Sequence, residues 1–256
     1  MITSPSNPKI KLVRALQSKR SERRSEQAFV VEGARLAEEA VRAHVPARLV
    51  LHTDRLDARG RAAVNQLAKL GAAIEIVSPE VMAAASEIQT PPGLLAVLAL
   101  PTLRVPIPLN WALVLDRLSD PGNLGAVLRT AAAAGVQAVF LAPGTVDPYN
   151  PKVVRAAVGA HFHVPIVEAN WDELATALAG LALWRAEAHA GAAYDRLNWR
   201  QPTALILGAE AAGPGEAAQR LAPQAVHIPM SGQTESLNAA AAAAVLLFEG
   251  ARQRKA

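Results

Sequence analysis

Three stretches beyond residue 115 of this 256-residue chain set glycine, amides, carboxylates and an arginine at the ends of apolar runs. The first is Asp116-Arg117-Leu118-Ser119-Asp120-Pro121-Gly122-Asn123, leading into Leu124 to Ala131. Asp-Pro-Gly is a turn signal, which predicts Asn123 as a helix N-cap. At about 100° per residue, Leu124, Val127, Leu128 and Ala131 share one face, and Arg129 points away from it. The second is Leu207-Gly208-Ala209-Glu210-Ala211-Ala212-Gly213. A glycine closing an apolar strand lets a ligand approach the backbone, and Glu210 stands at that strand's end. The third runs from Ile228-Pro229-Met230-Ser231 through Ser236-Leu237-Asn238 into a run of six alanines. Pro229 withholds a backbone donor, Ser236 is a predicted N-cap, and Asn238 is not in a first helical turn for its propensity.

Parallel sheets bind ligands beyond the carboxyl ends of their strands, so these loops are where a polar ligand would be held and oriented. Each loop also has an ordinary reading: a cap asparagine with a surface arginine, a solvated carboxylate, an alanine-rich core helix. Other fingerprints are missing. There is no G-x-G-x-x-G after a strand and no G-x-x-x-x-G-K-[ST]. His161-Phe162-His163 would put two imidazoles on one face of an extended segment, but no third ligand lies at a sensible spacing, so no metal site is expected. The chain has no cysteine, which excludes disulfides and thiol nucleophiles and favours the cytoplasm. No apolar run reaches the ~18 residues of a membrane span, and the N-terminus has no hydrophobic signal core.

The elements that must position these loops read as an alternation. Predicted strands at 29–31, 48–51, 74–77 and 94–100 and helices at 6–20, 33–44 and 59–70 form a first α/β unit. Pro101, Pro106 and Pro108 fall within eight residues and mark a boundary, giving domains 1–105 and 106–256. The second domain reads as strands at 112–115, 138–141, 183–188, 205–207 and 226–228. Helices are predicted at 124–134, 174–178 and 237–252. Alternating β and α predicts a parallel sheet covered on both faces.

Charge is concentrated at the start. Residues 1–30 hold Lys9, Lys11, Arg14, Lys19, Arg20, Arg23 and Arg24 against Glu22 and Glu26, a net +5 in a chain of net +4. Such a patch attracts polyanions, nucleic acid above all. A helix face with local ion pairs is the plainer reading.

Taken in order and spacing, the three loops resemble the motifs of the SpoU (TrmH-type) branch of the SPOUT superfamily. Asn150-Pro151-Lys152-Val153-Val154-Arg155-Ala156 with Gly159-Ala160 is similar to a further family segment. Residues 6–33 are similar to a substrate-binding domain of ribosomal-protein-like fold. Ala211 and Ala157 stand where the family has mostly glycine and frequently serine. The resemblance implies a C-terminal parallel sheet with a deep trefoil knot, S-adenosylmethionine as cofactor, a homodimer, and methylation of RNA ribose 2′-hydroxyls. It implies an adenosine pocket lined by Gly208, Ile228 and Leu237, with Leu207 and Met230 beside them. It gives Arg129, Asn123, Glu210, Ser236 and Asn238 to catalysis and the basic segment to RNA.

An arginine stays protonated at neutral pH. Arg129 is therefore expected to hold an RNA phosphate and position the hydroxyl, with the proton acceptor open. The two-domain layout favours ribosomal over transfer RNA. A non-catalytic RNA-binding or ribosome-assembly factor, and a methyltransferase for small molecules or proteins, are the alternatives.

Overall fold

The computed structural model describes residues 1–209, 213–231 and 236–255. The chain divides into two compact units, Met1–Thr102 with Tyr149–Phe162, and Leu103–Pro148 with His163–Ala256.

The first unit runs α1 (Pro8–Ser18), α2 (Arg20–Glu26), β1 (Ala28–Glu32), α3 (Ala34–Arg42), β2 (Ala47–His52), α4 (Ala58–Lys69), β3 (Ala73–Ile76), α5 (Pro79–Ala85) and β4 (Leu94–Ala99). Its sheet has the order β1-β4-β2-β3, with β4 antiparallel to both neighbours and β2 parallel to β3. Phe29, Leu36, Val50, Leu67 and Leu98 form one core cluster, and Ile10, Val13, Leu51, Met82 and Leu95 another. Asn7 caps α1 by accepting from the Lys9 N–H, with Pro8 opening the first turn.

The expected helix 6–20 is two helices, broken at Lys19, whose backbone is extended. The break buries Arg23, 4% exposed, which donates to the carbonyls of Leu16 and Gln17 at the end of α1. Those carbonyls have no intrahelical partner, and a guanidinium supplies several donors. Arg23 is thus a structural cap and not part of the exposed basic surface, a correction to its expected place among the RNA contacts. Lys9, Lys11, Arg14, Lys19, Arg20 and Arg24 are exposed.

The second unit begins with β5 (Trp111–Leu115), α6 (Pro121–Ala133) and β6 (Ala138–Leu141). The chain then gives α7 (Pro151–Ala157) to the first unit. There Val154 and Phe162 join the cluster around Phe29. Residues 160–162 form a 3-10 turn and not the extended segment expected. His161 is buried, its ring 5.3 Å from Tyr149 and 6.1 Å from Phe29, while His163 is exposed, so the two imidazoles share no face.

The second unit resumes with β7 (Ile166–Glu168), α8 (Trp171–Ala177), β8 (Ala182–Ala186), β9 (Ala192–Ala193), β10 (Thr203–Leu207), α9 (Glu216–Leu221), β11 (Gln224–His227) and α10 (Ala239–Lys255). All seven strands are parallel, in the order β7-β6-β5-β10-β8-β11-β9. β5 and β10 lie centrally and are buried throughout, which is why both read as unbroken apolar runs. From β5 the chain turns to β6 on one side, while β10 occupies the other. Such a reversal of strand order leaves a crevice at the carboxyl ends. Among the described residues no helix is long and apolar enough to cross a membrane.

Candidate active site

The carboxyl ends of β8, β10 and β11 open on a cavity of about 800 Å³, within the usual range of small-molecule sites. Leu207, Gly208, Ala209 and Gly213 form one wall, Val226, Ile228 and Met230 a second, and Ala186 to His189 a third. Ser236, Leu237, Ala239, Ala242 and Leu246 close it from α10 and the residues before it.

Local physics fixes the wall at β10. Gly213 donates its N–H to the Ala209 carbonyl at 2.9 Å, so the chain folds back on itself. A Cβ at Gly208 would sit 2.2 Å from the Gly213 carbonyl carbon and the Pro214 nitrogen, a contact no side chain tolerates. Asp116, 2% exposed, joins this wall to β5. Its N–H donates to the Leu207 carbonyl at 2.8 Å, and its Oδ2 accepts from the Gly215 N–H at 2.7 Å. Arg117, in the left-handed region at φ 57°, keeps its Nε 3.4 Å from Asp116 Oδ1.

α6 starts at Pro121, earlier than expected, and its cap is Asp120, whose Oδ1 accepts from the Asn123 N–H at 2.7 Å. Asn123 is therefore inside the first turn, which frees its amide for another element. The Asn238 Nδ2 donates to Asn123 Oδ1 at 3.0 Å. Asn238, not Ser236, caps α10: its Oδ1 accepts from the Ala240 N–H at 2.9 Å and from the Ala241 N–H at 3.4 Å. One asparagine thus caps a helix and ties it to α6, which packs beside it.

The structure gathers Leu207, Gly208, Ile228, Met230, Ser236 and Leu237 around one cavity and pairs Asn123 with Asn238. Arg129 is exposed on α6 and lies outside the cavity lining. Glu210 falls outside the described residues.

Glu187 and His189, which line the cavity, were not among the expected site residues. The signal was a carboxylate at the end of a parallel strand, but a strand expected over 183–188 ran past the true end at Ala186 and took Glu187 into its interior. Asp116 and Arg117 stood in the first loop without an assigned role.

The SpoU rRNA Methylase family model matches residues 110–248, and a model of the MRM3-like substrate binding domain matches residues 7–96. The chain is similar to the 23S rRNA (guanosine(2553)-2′-O)-methyltransferase RlmP of Bacillus subtilis, 34% identical over 96% of this chain and 97% of that protein. It is also similar to the 23S rRNA (uridine(2479)-2′-O)-methyltransferase of Streptomyces viridochromogenes, 31% identical over 97% and 91%. Among solved structures, an RNA 2′-O ribose methyltransferase matches with TM-score 0.84 at 37% identity, covering 100% of this chain and 99% of that one. The AdoMet-bound rRNA methyltransferase of Sinorhizobium meliloti matches with TM-score 0.85 at 27% identity, covering 98% and 97%. With residues of two of the family's three motifs lining one strand-end cavity and its model covering more than half the sequence, the chain belongs to the SpoU rRNA methylase family.

Proposed function

We propose that this chain transfers a methyl group from S-adenosylmethionine to a ribose 2′-hydroxyl of ribosomal RNA. This reading rests on the cavity at the ends of β8, β10 and β11, lined by Leu207, Gly208, Ile228, Met230, Ser236 and Leu237. The ribosomal substrate rests on the relatives' names and on the match of residues 7–96 to a substrate-binding domain.

The residues present fit S-adenosylmethionine. The cavity has room for it, the leucines and Ile228 offer apolar contact to an adenine, and Gly208 places no side chain over its own backbone groups. When bound, the cofactor supplies a methyl carried on a positively charged sulfur.

The chain's residues have the task of bringing the hydroxyl into line. Proximity and orientation account for much of the acceleration open to such a transfer. Arg129 donates to an RNA phosphate and orients the hydroxyl, and as a guanidinium it is not the proton acceptor. The Asn123–Asn238 hydrogen bond holds α6, which carries Arg129, against the start of α10, which helps close the cavity. Ser236 and Glu210 complete the polar set.

The same reading assigns RNA capture to residues 1–105 and catalysis to 106–256. Lys9, Lys11, Arg14, Lys19, Arg20 and Arg24 serve as phosphate contacts, and the working form is a homodimer with the family's trefoil knot.

The test is incubation with ribosomal RNA transcripts and donor labelled in its methyl group, followed by alkaline hydrolysis. A methylated 2′-oxygen cannot attack its neighbouring phosphate, so label is expected in alkali-resistant dinucleotides. Label released on bases or retained on protein overturns the proposal.

A further inference from the structure

We propose that Glu187 recognises the ribose 2′,3′-hydroxyl pair of the cofactor's adenosine, with Arg185 as its positioning residue. This inference rests on the methyltransferase reading above.

Glu187 is the first residue beyond β8, and its N–H donates to the Val226 carbonyl of β11 at 2.9 Å. It supplies the one carboxylate among the described residues that line the cavity. That carboxylate is set in place before any ligand arrives. Its Oε1 accepts from Arg185 Nε at 3.0 Å, and both side chains are largely buried, 24% and 17% exposed. Arg185 is itself fixed from behind, its Nη1 donating to the carbonyls of Ala222 at 2.7 Å and Pro223 at 2.5 Å. Oε2 turns toward the β10 wall, where a Cβ built on Gly213 would lie 3.5 Å from it.

S-adenosylmethionine offers this acceptor two kinds of partner, a neutral diol and a cationic ammonium. Arg185 already opposes the charge of Glu187, so the pair presents acceptor lone pairs without a net negative charge. An ionised carboxylate has about four lone-pair sites. Arg185 engages one, which leaves enough for two adjacent hydroxyls. A cation would instead meet the field of the guanidinium behind the carboxylate. The surrounding wall of Leu207, Ile228, Met230, Leu237 and Leu246 suits the adenine beside that diol.

Binding calorimetry with two probes separates the partners. S-adenosylhomocysteine carries both the diol and the ammonium, whereas 5′-methylthioadenosine carries the diol alone. Glu187→Gln is expected to weaken both by a similar factor, about tenfold. Glu187→Asp, which keeps the charge but withdraws the oxygens, is expected to weaken both as well, and it decides the matter if the glutamine variant is unstable. Weakening confined to S-adenosylhomocysteine, or no weakening of either probe, overturns the assignment while leaving the methyltransferase reading intact. Failure of the unaltered protein to bind S-adenosylhomocysteine removes both.

Discussion

Glu249 shows how one side chain secures the helix that closes the cavity. Its carboxylate accepts from Arg252 Nε and Nη2, both at 2.8 Å, and from Gln253 Nε2 at 2.8 Å. Gln253 in turn accepts from the Trp199 N–H and donates to the Leu197 carbonyl, both at 3.0 Å. The Arg252 guanidinium, with Gln253, lowers the Glu249 pKa to about 2 against the opposing effect of burial. A depressed carboxylate stabilises the fold above its unfolded value, near 4.5, and loses that contribution as pH falls toward about 2. Glu249→Gln is therefore expected to melt below the unaltered protein at neutral pH, with the gap narrowing from pH 4.5 downward. Melting curves across that range check it, and a gap independent of pH contradicts it. Residue identity alone did not reveal such roles. Arg23 reads as one more cation in a basic run, yet burial makes it the cap of α1. The residues at 207, 208, 228, 230 and 237, which line the cavity, were placed by the resemblance to the family's motifs; of these only Gly208 carried a local signal, a glycine closing an apolar strand.

At the scale of elements, the central strands were readable, and for a physical reason. A strand covered on both faces must be apolar at every position, so β5, β6 and β10 could hardly be anything else. Short elements without a continuous apolar run were not readable. α7, α9 and β9 span only 7, 6 and 2 residues, too few for a periodicity to show. Helix starts were off by a few residues because Asp120 and Asn238 outcompete Asn123 and Ser236 as caps. The fold-back after β10 yields the clearest element-level expectation. A methyl group at Gly208 would strike the Gly213–Pro214 backbone at 2.2 Å, so Gly208→Ala must displace the wall of the cavity. Such overpacking costs about 1–3 kcal/mol. The variant is expected to melt lower and to lose S-adenosylhomocysteine binding measurably by calorimetry. Normal affinity would mean that this wall is not part of the cofactor site.

For the whole molecule, the sequence showed two units and a basic start, but not that Tyr149–Phe162 belongs with the first unit, since that packing depends on contacts far apart in the chain. If Lys11, Arg14 and Lys19 contact phosphates, each releases counterions on binding. Replacing all three with glutamine is expected to weaken RNA binding across sequences and to reduce the slope of log affinity against log salt by roughly 2–3. Filter binding over a salt series measures it, and an unchanged slope removes these side chains from the RNA surface.

On the proposed function, one part of the chain grips the methyl donor and a separate arginine positions the hydroxyl. Arg129→Ala, assayed for both functions in one preparation, tests it most directly. Methyl transfer to ribosomal RNA is expected to fall on the order of a hundredfold or more, with S-adenosylhomocysteine affinity unchanged. Undiminished transfer, or transfer and affinity lost together, would contradict it.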